Sequence, residues 1–186
     1  MEPSISEDIR RELSTGEQVR WWGRPRQGIV LRGTDVFVIP FSLLWCGFAV
    51  FWELSVLQSP NAPAFFVLWG VPFVMAGIYF VMGRFFVEAK QRSKTFYAVT
   101  NERVLIVSGI FSRKVKSLNL RTLSDISLSE RSNGEGSISF GPQQPFASML
   151  GGMSGWPGAE QFIGPRFDLV PNAKSVYDII RNVQRT

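Results

Sequence analysis

The 186-residue chain contains no histidine and a single cysteine, Cys46. The first absence removes the commonest general base and the commonest neutral metal ligand together. The second rules out a disulfide within the chain and any thiol-rich metal centre. Cys46 itself lies inside an apolar run. Charge is the third scarcity: from Val36 to Gly83 the only ionisable Asp, Glu, Lys or Arg is Glu53. No Gly-rich phosphate loop follows a strand, and Asp125, Glu130, Glu135 and Asp168 show no spacing that paired acid–base chemistry requires. The sequence is therefore read as non-catalytic, with no cofactor and no metal.

The uncharged stretch divides into two runs, Val36–Trp52 and Ala64–Gly83. As helices they would reach about 26 and about 30 Å at 1.5 Å per residue. A hydrocarbon core is about 30 Å thick, so both are expected to span a membrane. The link Glu53–Pro63 ends in Pro60-Asn61-Ala62-Pro63, a turn signal, and its shortness predicts an antiparallel hairpin. Pro40 and Pro72 are expected to kink the helices. Neither run carries a Gly-x-x-x-Gly spacing.

The flanks orient the hairpin. Arg20, Arg24, Arg26 and Arg32 precede it; Arg84, Lys90, Arg92 and Lys94 follow it; the connecting loop has no Lys or Arg. The positive-inside rule places both termini in the cytoplasm. A charged and polar lead of about 35 residues is unlike a cleavable signal peptide. The net charge of +5 is concentrated in residues 84–131, where ten basic groups face four acidic ones. Such a block next to a span sets topology and touches anionic headgroups. Nothing in it has the groove-reading or base-stacking features of a nucleic-acid binder.

Before the hairpin, Ser6 to Leu13 reads as a short helix capped by Ser6 and ended by Gly16. Val19–Trp22 has two readings, an interfacial Trp–Arg segment or a strand packed on the soluble part. After the hairpin and a junction at Phe85–Lys94, strands are expected at Thr95–Thr100, Arg103–Ser108, Ser112–Leu120, Leu123–Ser129, Ser137–Phe140 and Phe167–Val170. Turns at Asn101-Glu102 and Asn133–Gly136 make this an antiparallel meander. Gly141–Gly164 is a long Gly- and Pro-rich loop carrying Phe146, Met149, Leu150, Met153, Trp156 and Phe162, a candidate interaction loop. A final helix from about Ala173 to Gln184 places Val176, Ile179, Ile180 and Val183 on one stripe.

Tyr97-Ala98-Val99-Thr100-Asn101-Glu102-Arg103-Val104-Leu105-Ile106, with Gly109, Lys116-Ser117-Leu118, Gly134-x-Gly136-x-Ile138-x-Phe140 and the Val176-Tyr177 helix, resembles bacterial membrane-anchored pleckstrin-homology-like (PH) domains. Gly16-Glu17 and Trp22-Gly23-x-Pro25 are similar to that family's lead-in. The resemblance implies an α+β protein of the bacterial cytoplasmic (plasma) membrane. Residues 1–35 form a cytoplasmic segment, 36–83 a two-helix transmembrane hairpin and 84–186 a PH-like cytoplasmic domain. That domain is an antiparallel seven-stranded β-sandwich, or barrel, closed by the C-terminal helix. Eukaryotic relatives that bind phosphoinositides carry a basic motif between their first two strands; the turn read here at that position, Thr100–Arg103, is too short and insufficiently basic to be that motif. Thr100, Asn101 and Arg103 are expected to shape that turn, with Arg103 paired to Asp125 or Glu130.

The function expected is a membrane-tethered module for protein interaction or assembly, through a protein partner or its own copies. The alternative is a sensor of anionic lipid headgroups, with Arg84, Lys90, Arg92, Lys94, Arg113, Lys114 and Lys116 as contacts.

Overall fold

The computed structural model describes residues 5–110, 112–142 and 164–185. Its elements run in the order α1 (Glu7–Arg10), β1 (Val19–Gly23), α2 (Asp35–Leu57), α3 (Ala64–Ile78), a π-turn (Tyr79–Gly83), α4 (Arg84–Ser93), β2 (Phe96–Thr100), β3 (Arg103–Ser108), β4 (Lys114–Asn119), β5 (Ile126–Glu130), β6 (Gly136–Phe140), β7 (Arg166–Val170) and α5 (Ala173–Arg185). One antiparallel sheet has the order β1-β2-β3-β4, the other β5-β6-β7.

The two readings of Val19–Trp22 resolve in favour of the strand. β1 pairs with β2, Trp22 opposite Ala98 and Gly23 opposite Tyr97. The first strand of the sandwich thus precedes the hairpin and the second follows it. The whole 24–95 stretch is the connection between strands one and two, so Thr100–Arg103 is the turn between strands two and three. That corrects the sequence reading, which had no means of pairing two short apolar runs some seventy residues apart.

α2 has 23 residues, and the second helix runs without a break from Ala64 to Ser93, 30 residues. The junction read at Phe85–Lys94 is helical. Both helices are long and apolar enough to cross a membrane, and in their most apolar windows only 17% and 11% of residues are buried. Their contact seam is built from small residues. Ser42 and Ala49 are buried on α2, Gly70 and Gly77 on α3. A Cβ at Gly77 would lie 2.9 Å from the Cα of Cys46, and one at Gly70 would collide with Glu53 and Trp52. Small residues let helix backbones approach closely where no hydrophobic gradient drives them together. The seven-residue separation of the two glycines does what a Gly-x-x-x-Gly pair would do.

The sandwich core follows from strand alternation, which sends successive side chains to opposite faces. Inward from the four-stranded sheet point Tyr97, Val99, Val104 and Ile106. They meet Ile138, Phe140, Phe167 and Val170 of the second sheet, and Val176 and Ile180 of α5 close the end. Tyr97 stacks on Phe167 at 4.5 Å between ring centroids, and Phe140 meets the same ring edge-on at 5.1 Å. The outer face of the first sheet is apolar as well. Phe96, Ala98, Leu105 and Val107 are covered by Ile9 of α1, with Ile5 and Leu13 beside it. α1 is shorter than the sequence implies. Ser6 makes no side-chain cap, and Gly16 sits in a separate turn at φ +86°.

Candidate ligand-binding cleft at the hairpin base

The chain leaves β1 with a left-handed residue, Gly28, at φ +85°. This lets segment 24–34 fold along both the sandwich and α4. The Arg26 backbone N–H donates to Leu169 O at 2.9 Å. Gln27 Nε2 donates to Arg92 O at 3.3 Å, and Arg92 Nη2 donates to Gly28 O at 2.7 Å. Three consecutive turns of α4 present Arg84, Glu88 and Arg92 on one stripe, four residues apart. All three are buried.

These residues form a charged collar. Arg84 Nη2 lies 2.8 Å from Asp35 Oδ1, an ion contact without the alignment of a hydrogen bond. The Asp35 carboxylate also accepts from the Arg32 backbone N–H at 2.6 Å. Arg92 Nη1 donates to Glu88 Oε2 at 3.0 Å. Arg32 Nη2 donates to Asp168 Oδ2 at 2.9 Å, and its Nε is 3.9 Å from Glu88. Asp168 accepts from Ser137 Oγ at 2.9 Å and lies 3.7 Å from Arg166. Its backbone N–H donates to the Tyr97 hydroxyl at 3.1 Å. Burial alone would raise the Asp168 carboxyl, but Arg166, Arg32 and the Ser137 bond outweigh it and hold its pKa below the usual value. The Tyr97 phenol is pushed up, by burial first and by the Asp168 charge second.

Next to the collar opens a cavity of about 130 Å³. Its walls come from the helix base (Gln91, Arg92, Thr95), from β2 and β3 (Tyr97, Ile106, Ser108), from β4 (Lys114, Lys116) and from the start of β7 (Arg166, Asp168). Counting Arg32 and Glu88, five cationic side chains line it against two carboxylates. Gly109 shapes the adjoining β3–β4 turn. At φ +138° a Cβ there would collide with the backbone carbonyl of Ser112. The buried Nε–H groups of Arg84 and Arg92 find no acceptor among the described residues. Buried donors of this kind call for water or a ligand oxygen.

The structure divides the seven expected headgroup contacts. Lys114 and Lys116, exposed on the edge strand β4, line the cavity. Lys90 and Lys94 are exposed at the end of α4. Arg84 and Arg92 instead turn inward, with 6% and 9% of their side-chain surface exposed, and belong to the collar. Arg113 is engaged with α1 and the residues just after it, through the Asp8 carbonyl at 2.6 Å and Glu12 at 3.0 Å. The interaction-loop residues Phe146, Met149, Leu150, Met153, Trp156 and Phe162 lie outside the described residues.

The turn residues hold as expected in role, with a different partner. The buried Thr100 hydroxyl accepts from the backbone N–H groups of Glu102 (3.2 Å) and Arg103 (3.0 Å) and lies 2.7 Å from Glu17. Arg103 pairs with Glu17, and not with Asp125 or Glu130. Nε donates to Oε1 at 2.9 Å and Nη2 to Oε2 at 2.7 Å. Gly16-Glu17 and Thr-Asn-x-Arg, separate motifs in the sequence, are the two halves of one clamp. Arg32 figures in the sequence reading only as a flanking charge and Asp168 only as a carboxylate without acid–base spacing, while Asp35 and Arg166 do not figure in it. Asp35 and Arg84, the charges bordering the two apolar runs, were the visible hint of a pair.

A four-plus-three antiparallel sandwich closed by a C-terminal helix, with an apolar helical hairpin between its first two strands, defines a PH-like module. The sequence model of the family described as Bacterial PH domain matches residues 36–184. The chain belongs to that family, and β1 lies ahead of the matched region. No curated protein and no solved structure matches the chain.

Proposed function

We propose that the protein is a non-catalytic, membrane-tethered PH-like module whose basic cleft takes the phosphate-bearing headgroups of anionic lipids. The hairpin is the tether. Phe37 is 80% exposed, Leu44 75% and Leu68 71%, a continuous apolar surface that water does not tolerate and hydrocarbon does. The paired strands β1 and β2 keep both ends of the hairpin on the sandwich side. The arginine- and lysine-rich flanks make that side the cytoplasmic one.

The observation that carries the ligand reading is the placement of an excess of positive charge beneath the hairpin. With Arg84 at the edge of the hydrocarbon, Glu88 lies about 6 Å and Arg92 about 12 Å further out along α4. The headgroup layer on each side is about 5–8 Å deep. The cavity mouth therefore meets the headgroups from below, where each basic side chain contributes about 1 kcal/mol of attraction to anionic lipid.

The test is native mass spectrometry of the protein released from its membranes in mild detergent, compared with Lys114→Glu/Lys116→Glu. The full-length protein is expected to retain anionic phospholipid. The double reversal changes four unit charges, about 4 kcal/mol at about 1 kcal/mol each, and is expected to lower that retention on the order of a thousandfold. Equal retention by both forms, or none by either, would overturn the reading.

A further inference from the structure

Residues 28–35 climb α4 in the opposite chain direction, with one charged contact at each helical turn. Arg92 Nη2 donates to Gly28 O at 2.7 Å, Arg32 Nε lies 3.9 Å from Glu88, and Asp35 meets Arg84 at 2.8 Å. From Arg92 to Arg84 the helix rises about 12 Å. The two strips form a belt between the hairpin and the sandwich, and the polarity of that belt is reversed. Within residues 28–35 and 84–89 the charged side chains Arg32, Asp35, Arg84 and Glu88 all turn inward. Ile29, Leu31 and Phe86 turn outward, at 59%, 63% and 62% exposure, and Val87 is exposed next to Phe86. A belt bathed in water would place its charges outward and its apolar side chains inward. Exposed charge resumes beyond the belt, at Lys90 and Lys94 on α4 and at Arg24 and Arg26 before Gly28.

We propose that this belt is a second membrane-contact surface, seated in the lipid interface with Ile29, Leu31, Phe86 and Val87 against the boundary between headgroups and acyl chains. Reversed polarity is what an apolar surrounding selects, because an outward charge there would lose its water while an outward methyl group would lose nothing. The belt also continues the apolar surface of the hairpin, from Met82 to Phe86 on one unbroken helix. Length agrees. The 30 residues of Ala64–Ser93 extend about 45 Å, which matches a bilayer of about 40–45 Å with its headgroups and exceeds the about 30 Å of hydrocarbon alone. Interfacial apolar faces settle about 5–10 Å into that boundary, a depth comparable to the height of the belt. Lys90 and Lys94 then mark its rim, their stems on apolar surface and their ammonium groups in water. The inference rests on the tether reading and adds to it. The sandwich is seated directly against the bilayer by two different strips, so the mouth of the cleft is held at the headgroups and does not swing free on the hairpin.

The experiment uses the full-length chain with Cys46→Ser, reconstituted in vesicles of phosphatidylcholine and phosphatidylglycerol. An environment-sensitive fluorophore is attached at one new cysteine at a time: Ile29→Cys, Leu31→Cys, Phe41→Cys on the hairpin, or Arg121→Cys at the far end of the sandwich. All four positions are exposed, so the label displaces no core side chain. At positions 29 and 31 the emission is expected to shift to the blue, to be quenched by phospholipid brominated high on its acyl chains, and to be protected from aqueous iodide. At position 121 iodide should quench and brominated lipid should not. Labels at 29 and 31 that behave like the one at 121, while the label at 41 is quenched by brominated lipid, would overturn the belt and leave the tether standing. A label at 41 that iodide reaches as freely as it reaches 121 would overturn the tether, and the belt with it.

Discussion

Replacing Glu17 by Gln should remove the ion pair that pins the amino-terminal segment to the β2–β3 turn. The Arg103 bonds hold the Glu17 carboxyl down to about 2, from an ordinary 4.5, helped by the Ser14 N–H and the Thr100 hydroxyl against the opposing effect of burial. The carboxylate side chain is fully enclosed and that of Arg103 is 26% exposed, so solvent screening takes little from the pair. One pKa unit corresponds to about 1.4 kcal/mol, so the depression corresponds to about 3 kcal/mol of folded-state stabilisation. The folded pKa is lowered, so this contribution is fully present above pH 4.5 and is lost as the pH falls towards 2. Out of a typical total of about 5–15 kcal/mol, that is a large share. The assay is denaturant unfolding in detergent, followed by the fluorescence of Trp21 and Trp22 on β1, from pH 7 to pH 2. Wild type should lose about 3 kcal/mol across that range, beyond whatever other carboxylates contribute to both proteins. Glu17→Gln should start lower by about that amount and converge with wild type near pH 2. Parallel pH profiles for the two proteins would refute the reasoning, because the clamp would then not be the titrating element.

Three further outcomes are expected. Arg84→Met strands the buried Asp35 carboxylate and should cost about 3–5 kcal/mol in the same unfolding assay, while Asp35→Asn/Arg84→Met together should recover most of it. Gly77→Val places a side chain against the Cys46 backbone and should destabilise the hairpin by about 1–3 kcal/mol, seen as a lower unfolding midpoint in detergent. The Asp168 carboxyl is held below its ordinary value, so it stabilises above that value and the benefit disappears as pH falls. Asp168→Asn should therefore lower stability at pH 7 and narrow its gap to wild type in acid.

Much of the architecture is legible in the residues themselves. Two uncharged runs longer than a soluble helix needs, and period-two strands punctuated by Asn and Gly, leave few alternatives for 36–83 and for β2 to β6. The C-terminal helix announces itself by a stripe at Val176, Ile179, Ile180 and Val183. What escapes a linear reading is everything made across the hairpin. β1 is five residues whose partner begins at residue 96, and no periodicity links them. The cleft is harder still. Arg32, Lys116 and Asp168 come from three distant segments, and basic side chains next to a span look alike in sequence whether they face lipid, as expected of all four after the hairpin, or turn inward, as Arg84 and Arg92 do. Burial separates those two fates, and burial is set by the fold.

The central claim, that the cleft under the hairpin meets anionic headgroups, is tested most directly by photocrosslinking from Ser108 at the cavity wall in intact membranes. A photoreactive residue at Ser108 is predicted to yield adducts with anionic phospholipid that disappear in Lys114→Glu/Lys116→Glu. Adducts with neutral lipid alone, or none at all while a probe at Phe41 on the hairpin labels acyl chains, would contradict the account.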